Sequence, residues 1–119
     1  MVAQIRAGGQ PVELIEDGSR VPLAAGSELA AYRVVQEALT NAVKYAAGNR
    51  TVVRVGHAAD RVDIEVTTEG SRVHPEAQGG GRGLAGLRDR VAKVGGSLEA
   101  GPRDDGSFVV SARIPTGGI

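Results

Sequence analysis

A chain of 119 residues has room for one domain around a single core, and with 41% apolar but only 3% aromatic residues that core is aliphatic. Its 14 acidic and 14 basic residues cancel, against the basic excess expected of a nucleic-acid binder. The lack of cysteine excludes a disulfide framework or thiolate metal site and fits a reducing compartment, no apolar run reaches the roughly 20 residues that span a bilayer, and no signal peptide is visible.

In chain order, Val12-Glu13-Leu14-Ile15 reads as a short strand entering a turn at Glu16-Asp17-Gly18. Pro22 and Gly26 mark a loop, and Ser27 is the expected N-cap of a long helix, with Glu28 placed well for the helix dipole. The helix is expected to run to Ala47, because Val35, Ala38, Leu39, Ala42 and Ala46 recur at three- and four-residue spacing, and Gly48-Asn49 ends it. Thr51–Val55 and Val62–Thr67 form a hairpin turning near Gly56, with Val62, Ile64 and Val66 on its dry face. The stretch from Gly70 to Gly83 lacks periodicity and reads as loop. A second helix buries Leu84, Leu87, Val91 and Val94 and stops at Gly95-Gly96. A last hairpin joins Leu98–Ala100 to Phe108–Ile114 around Asp104-Asp105-Gly106, with Phe108, Val110, Ala112 and Ile114 facing one way. This order predicts an α/β two-layer sandwich: a mixed, mostly antiparallel sheet with helices on one face. A single domain covers 1–119, with its core at about 11–115.

Two groups of residues carry possible chemistry. Glu37, Asn41 and Tyr45 stand four residues apart along one side of the long helix, with Lys44 beside Tyr45. An amide oxygen suits magnesium, an amine neutralises phosphate, and a carboxylate orients or deprotonates a nucleophile. Taken alone, polar residues at this spacing are equally what any solvated helix face shows. The second group, Gly81-Arg82-Gly83-Leu84-Ala85-Gly86, lies where a loop becomes a helix. Glycines permit close backbone approach, and the free amides at a helix start attract anions. The dinucleotide fingerprint does not fit, since no strand precedes these glycines, and Walker A fails for want of Gly-Lys-Ser/Thr. A flexible hinge with a packed Gly86 stays open as an alternative.

Together the runs Tyr32–Ala46 (YRVVQEALTNAVKYA) and Gly81–Val91 (GRGLAGLRDRV) resemble the N box and second glycine box of sensor histidine kinases, of the group that partners NarL-type response regulators. Gly95–Gly101 and the strand ending Ile114-Pro115 match that group's ending, so the similarity runs from about Pro11 to Pro115. The resemblance implies the Bergerat ATP-binding fold shared with a heat-shock chaperone, gyrase and MutL. It implies ATP and magnesium as cofactors: Asn41 as magnesium ligand, Glu37 as the acid assisting phosphoryl transfer, and Lys44 on phosphate. Gly81, Arg82, Gly83, Leu84 and Gly86 would border the triphosphate, Ser107 would lie near adenine, and Ser71–Gly80 would form a short lid.

The chain departs from that pattern twice. Tyr45 stands where the group usually has His, and an aromatic ring still fills the place. The first glycine box, Asp-x-Gly-x-Gly in the family, here reads Thr68-Glu69-Gly70-Ser71-Arg72. The family's Asp accepts a hydrogen bond from the adenine amino group; Thr68 offers a hydroxyl that also accepts. Glu69 serves only if the strand has already ended, since a one-residue shift turns a side chain to the other face. Losing a charged acceptor costs about 1.5–3 kcal/mol, about ten- to hundredfold in affinity.

As implied partners, the resemblance names ATP, histidine-bearing dimerisation helices outside this chain, and a response regulator, with no nucleic acid and no direct membrane contact. It places the domain in the cytoplasm, as the C-terminal piece of a longer kinase that could itself be membrane-anchored. His57, expected in a hairpin turn, and His74, in the lid, read as exposed surface residues rather than phosphoacceptors, and no metal cluster is expected apart from magnesium at Asn41. A degenerate nucleotide-sensing or docking module, motivated by the eroded first glycine box, and an anti-sigma serine kinase of the same fold stay open beside the kinase.

Overall fold

The computed structural model describes residues 7–70 and 82–117. In it the β-branched runs become strands β1 (Val12–Asp17), β2 (Thr51–His57), β3 (Arg61–Thr68), β4 (Ser97–Pro102) and β5 (Phe108–Pro115). The two runs of helical period become α1 (Ala25–Tyr45) and α2 (Arg82–Lys93). The strands form one sheet in the order β1-β2-β3-β5-β4. β1 lies parallel to β2, as the long crossover through α1 allows, and every other neighbouring pair is antiparallel.

Both helices cover one face of the sheet. Ala30, Val34 and Leu39 of α1 and Val91 of α2 are wholly buried, packed with Val53, Ile64, Val66, Phe108, Val110 and Ile114 from the strands, which are also buried. Each such apolar side chain removed from water contributes about 1.5–3 kcal/mol. Of the stripe expected on the long helix, Ala38, Leu39, Ala42 and Ala46 are buried, whereas Val35 is only partly buried and Val34, not expected, is wholly buried. The opposite face of the sheet is uncovered and charged, with Arg113 reaching Asp63 at 3.1 Å and Arg103 reaching Glu65 at 3.3 Å. Exposed pairs of this kind add little stability.

Three local expectations are corrected. Ser27 does not cap the long helix: the helix begins at Ala25, its N-cap Ala24 makes no side-chain bond, and Ser27 is buried in the first turn. The start is fixed instead from across the fold, where the Ala24 amide donates to the Thr116 carbonyl at 2.8 Å. Gly117 makes that approach possible, with φ at +75°, and a Cβ there would stand 2.8 Å from the Ala24 methyl. The helix also ends at Tyr45, with Ala46 as its cap, two residues short of Ala47. Gly56 is not in a turn: it pairs with Asp63 inside the β2–β3 ladder, and the reversal comes after His57, closed by the Ala58 amide on the Arg61 carbonyl at 2.9 Å.

His57 is accordingly a strand residue, its side chain only 11% exposed, with Nε2 3.0 Å from Glu16 Oε2. Arg20, and secondarily His57, hold the Glu16 carboxyl below its usual range. The expected lid from Ser71 to Gly80, with His74, and Gly81 beyond it, lie outside the described residues.

Candidate functional site

The polar side of α1 is built by helical spacing. Glu37, Asn41 and Tyr45 lie one turn apart at the margin of the buried face, each partly buried, while Lys44 is exposed. Lys44 Nζ sits 5.7 Å from the centroid of the Tyr45 ring, within cation–π range, so the aromatic residue steadies the amine. Among the described residues no hydrogen bond or ion pair engages the side chains of Glu37 or Asn41. They are a carboxylate and an amide left at the edge of a core with hydrogen-bonding capacity unused.

The start of α2 forms a second group. Val94, just past the end of α2, lies against Gly26 in the first turn of α1. The two helices pack on one another. The 12 residues of α2 span about 18 Å, so its first turn lies well away from Gly26. That first turn holds no acidic side chain, and its unpaired amides suit an anion. Arg82 and Gly83 open the helix and Gly86 follows one turn on, where nothing among the described residues lies within 4 Å of the space a Cβ would take. The Leu84 side chain is buried in the core, so only its backbone can border a ligand here.

A third group closes the same end of the sheet. Thr68 is the last residue of β3, 6% exposed, and pairs with Thr51 on one side and Phe108 on the other. Ser107, next to Phe108, is also buried, but its hydroxyl donates to Asp105 Oδ1 at 2.6 Å, leaving only its lone pairs for another group. That hydroxyl, and then the Ser107 amide, hold the Asp105 carboxyl below its ordinary range. Gly70 follows β3, and a Cβ on it would stand 3.5 Å from Asn49 Nδ2, beyond the end of α1. The strand does end before Glu69, yet Glu69 turns to Arg50, whose guanidinium reaches Glu69 Oε2 at 3.0 Å and Glu13 Oε1 at 2.7 Å. Thr68 is left, among the described residues, without a side-chain hydrogen bond at the end of this strand.

The structure thereby brings Glu37, Asn41, Lys44 and Tyr45 to the same end of the fold as Thr68 and Gly70, with Ser107 one residue from the Thr68 partner. Gln10, Asn49 and Arg50, which join these pieces, had no signal in the sequence: each acts on residues far away in the chain.

Comparison with known proteins agrees with this architecture. Residues 26–118 match the family model described as histidine kinase-, DNA gyrase B-, and HSP90-like ATPase. Over 67 residues, 56% of the chain, the sequence is 34% identical to the signal transduction histidine-protein kinase/phosphatase UhpB of Salmonella typhimurium (strain LT2), of which it spans only 13%. The fold is similar to the catalytic domain of histidine kinase ThkA, with a TM-score of 0.72 at 17% identity, covering 97% of this chain and 84% of that one. It is also similar to the mycobacterial sensor histidine kinase MprB, with a TM-score of 0.67 at 20% identity, covering 96% and 90%. Among the described residues no helix is long and apolar enough to cross a membrane. The five-stranded mixed sheet with helices on one side is the ATPase fold of histidine kinase catalytic domains, and the chain belongs to the histidine kinase-, DNA gyrase B- and HSP90-like ATPase family.

Proposed function

We propose that this chain is the ATP-binding catalytic piece of a longer sensor histidine kinase, and that it passes the γ-phosphoryl group of ATP to a histidine on a separate helical dimerisation segment. The observation that carries this is that Glu37 and Asn41, with Lys44 beside them, have no side-chain partner among the described residues at the edge of the core, together with the acid-free first turn of α2. A docking surface has no chemical need for that set.

The residues divide the work. Thr68 accepts from the adenine amino group, with Ser107 nearby, and Gly70 lets the chain turn away from the base. The amides that open α2 at Arg82, Gly83 and Leu84, with Gly86 one turn on, face the phosphates. Lys44, held over Tyr45, offsets their charge. Asn41 has a partly buried, uncommitted hard oxygen, which fits magnesium. The ion, when bound, neutralises charge on the phosphate oxygens. Glu37 orients the incoming imidazole and takes its proton as nitrogen bonds to the γ-phosphorus, the bond to the bridging oxygen breaks, and ADP leaves. Catalysis on this plan is positioning and charge stabilisation. The phosphoryl group then passes to an aspartate of a NarL-type response regulator.

The isolated chain is expected to bind nucleotide and yet remain unlabelled with radioactive ATP, since its acceptor lies elsewhere. Rejoined to the helical segment of its own kinase, it is expected to form an acid-labile phosphohistidine. A folded, rejoined protein that stays unlabelled with magnesium-ATP contradicts the catalytic assignment. One observation favours a second reading, a degenerate nucleotide-sensing module: Glu69 is tied to Arg50, so no carboxylate is left to accept from adenine. That module would bind nucleotide and never transfer its phosphate, so the same labelling experiment separates the two.

A further inference from the structure

Just ahead of β1, Gln10 is a polar side chain only 4% exposed, and it spends both ends of its amide on the turn that follows α1. Nε2 donates to the Asn49 carbonyl at 2.8 Å, with longer approaches of 3.3 Å to the Ala46 carbonyl and to Thr51 Oγ1. Oε1 accepts from the Gly48 amide at 3.1 Å. A helix leaves its last carbonyls without internal partners, and the turn after α1 passes through Gly48 at φ +81°, so groups here need a donor and an acceptor from elsewhere. Gln10 provides both from 36 or more residues away in sequence.

The turn that Gln10 grips is shared by both halves of the candidate site. On one side it continues Lys44 and Tyr45. On the other, the Arg50 carbonyl accepts from the Glu69 amide at 2.9 Å, the Arg50 guanidinium holds the Glu69 carboxylate, and Asn49 lies against Gly70. The Pro11 carbonyl adds a further tie, accepting from the Thr51 amide at 2.9 Å.

Resting on the nucleotide reading given above, we propose that Gln10 is a positioning residue for nucleotide binding: its amide fixes the turn at 46–51 and so sets the spacing between the phosphate side, Asn41, Lys44 and Tyr45, and the base side, Thr68 and Gly70. Gln10 touches no substrate. It acts through the strut Gln10–Asn49–Arg50–Glu69, and a ligand gripped at both ends senses an error in spacing even when the fold survives.

The test compares three forms of the chain: wild type, Gln10→Met, which keeps length and volume but removes the donor and acceptor, and Ile114→Val, a core variant on β5 that lowers stability without touching the strut. Each is titrated with a non-hydrolysable ATP analogue and magnesium at a temperature where circular dichroism shows it folded. Gln10→Met is expected to weaken binding about five- to tenfold and to shift the amide resonances of Lys44, Tyr45 and Glu69 together. Ile114→Val is expected to bind as wild type does. Should Gln10→Met melt earlier yet bind within twofold of wild type, Gln10 is a structural residue only and the inference is overturned. Should both variants weaken binding equally, the effect is loss of stability and the inference again fails. A folded wild-type chain that binds nothing overturns the nucleotide reading itself, and the positioning role with it.

Discussion

Replacing Asn41 by alanine is expected to weaken magnesium-dependent nucleotide binding about ten- to hundredfold while leaving the domain folded. Asn41 lies mid-helix on α1, partly buried, and no described residue depends on its side chain. Alanine is the best helix former, so the backbone loses nothing. What disappears is an amide oxygen suited to a hard cation. Losing a contact to a charged partner costs about 1.5–3 kcal/mol, a drop of about ten- to hundredfold in affinity. Calorimetric titration with an ATP analogue, with and without magnesium, reads it directly: wild type responds to magnesium, and Asn41→Ala does not. Equal, magnesium-responsive affinity in the two proteins removes Asn41 from the site.

The second large effect runs the other way. Thr68→Asp is expected to tighten ATP binding by about ten- to hundredfold, because a carboxylate is a stronger acceptor for the adenine amino group than a hydroxyl. The same change is expected to lower the melting temperature of the ligand-free chain. Thr68 is 6% exposed between Thr51 and Phe108, and an unpaired charge taken out of water there is costly. Nucleotide then restores more stability to the variant than to wild type, since a ligand stabilises in proportion to how tightly it binds the folded form. Thermal melts with and without ATP analogue show this as a crossing of the two proteins. If Thr68→Asp loses stability and gains no affinity, the end of β3 does not face the base, and the adenine role of Thr68 fails.

Glu69 gives a matching contrast. A strand that ends at Thr68 would have allowed Glu69 to turn towards a ligand. Backbone and side chain instead lock it to Arg50, so its carboxylate is spent on an exposed ion pair at the sheet margin. From sequence only the condition could be stated; which way the chain turns depends on Arg50, 19 residues earlier.

That dependence on distance separates what could be read from sequence and what could not. The alternation of Val62, Ile64 and Val66 and of Phe108, Val110, Ala112 and Ile114 reports burial directly, because period two in a strand has one physical cause. Leu84, Leu87 and Val91 do the same at helical period. Local signals failed where a distant group decided the outcome. Ser27 has the right chemistry for a cap, but the Thr116 carbonyl takes the Ala24 amide and starts the helix earlier. Gly56 looks like a turn residue, but a ladder partner at Asp63 keeps it in the strand. His57 then falls at the end of that strand, against Glu16, instead of on an open loop. Gln10 is the extreme case, since nothing near it in sequence hints at the turn it holds.

For the candidate site, the polar line on α1 was legible as spacing, but its meaning came from three-dimensional placement. A solvated helix face and a ligand edge look alike in one dimension. They differ in that Glu37 and Asn41 sit at the rim of the core without partners among the described residues. Gly86 shows the same limit: in sequence it could not be told from a packing glycine, and only the structure shows that no described residue packs against it.

The most direct test of the central claim is an amide-resonance titration of the wild-type chain with a non-hydrolysable ATP analogue, with and without magnesium. The account predicts saturable binding that requires magnesium, with shifts concentrated at Glu37–Asn49, Thr68–Gly70, Ser107 and the first turn of α2. A folded chain whose spectrum is unchanged at millimolar nucleotide would contradict it.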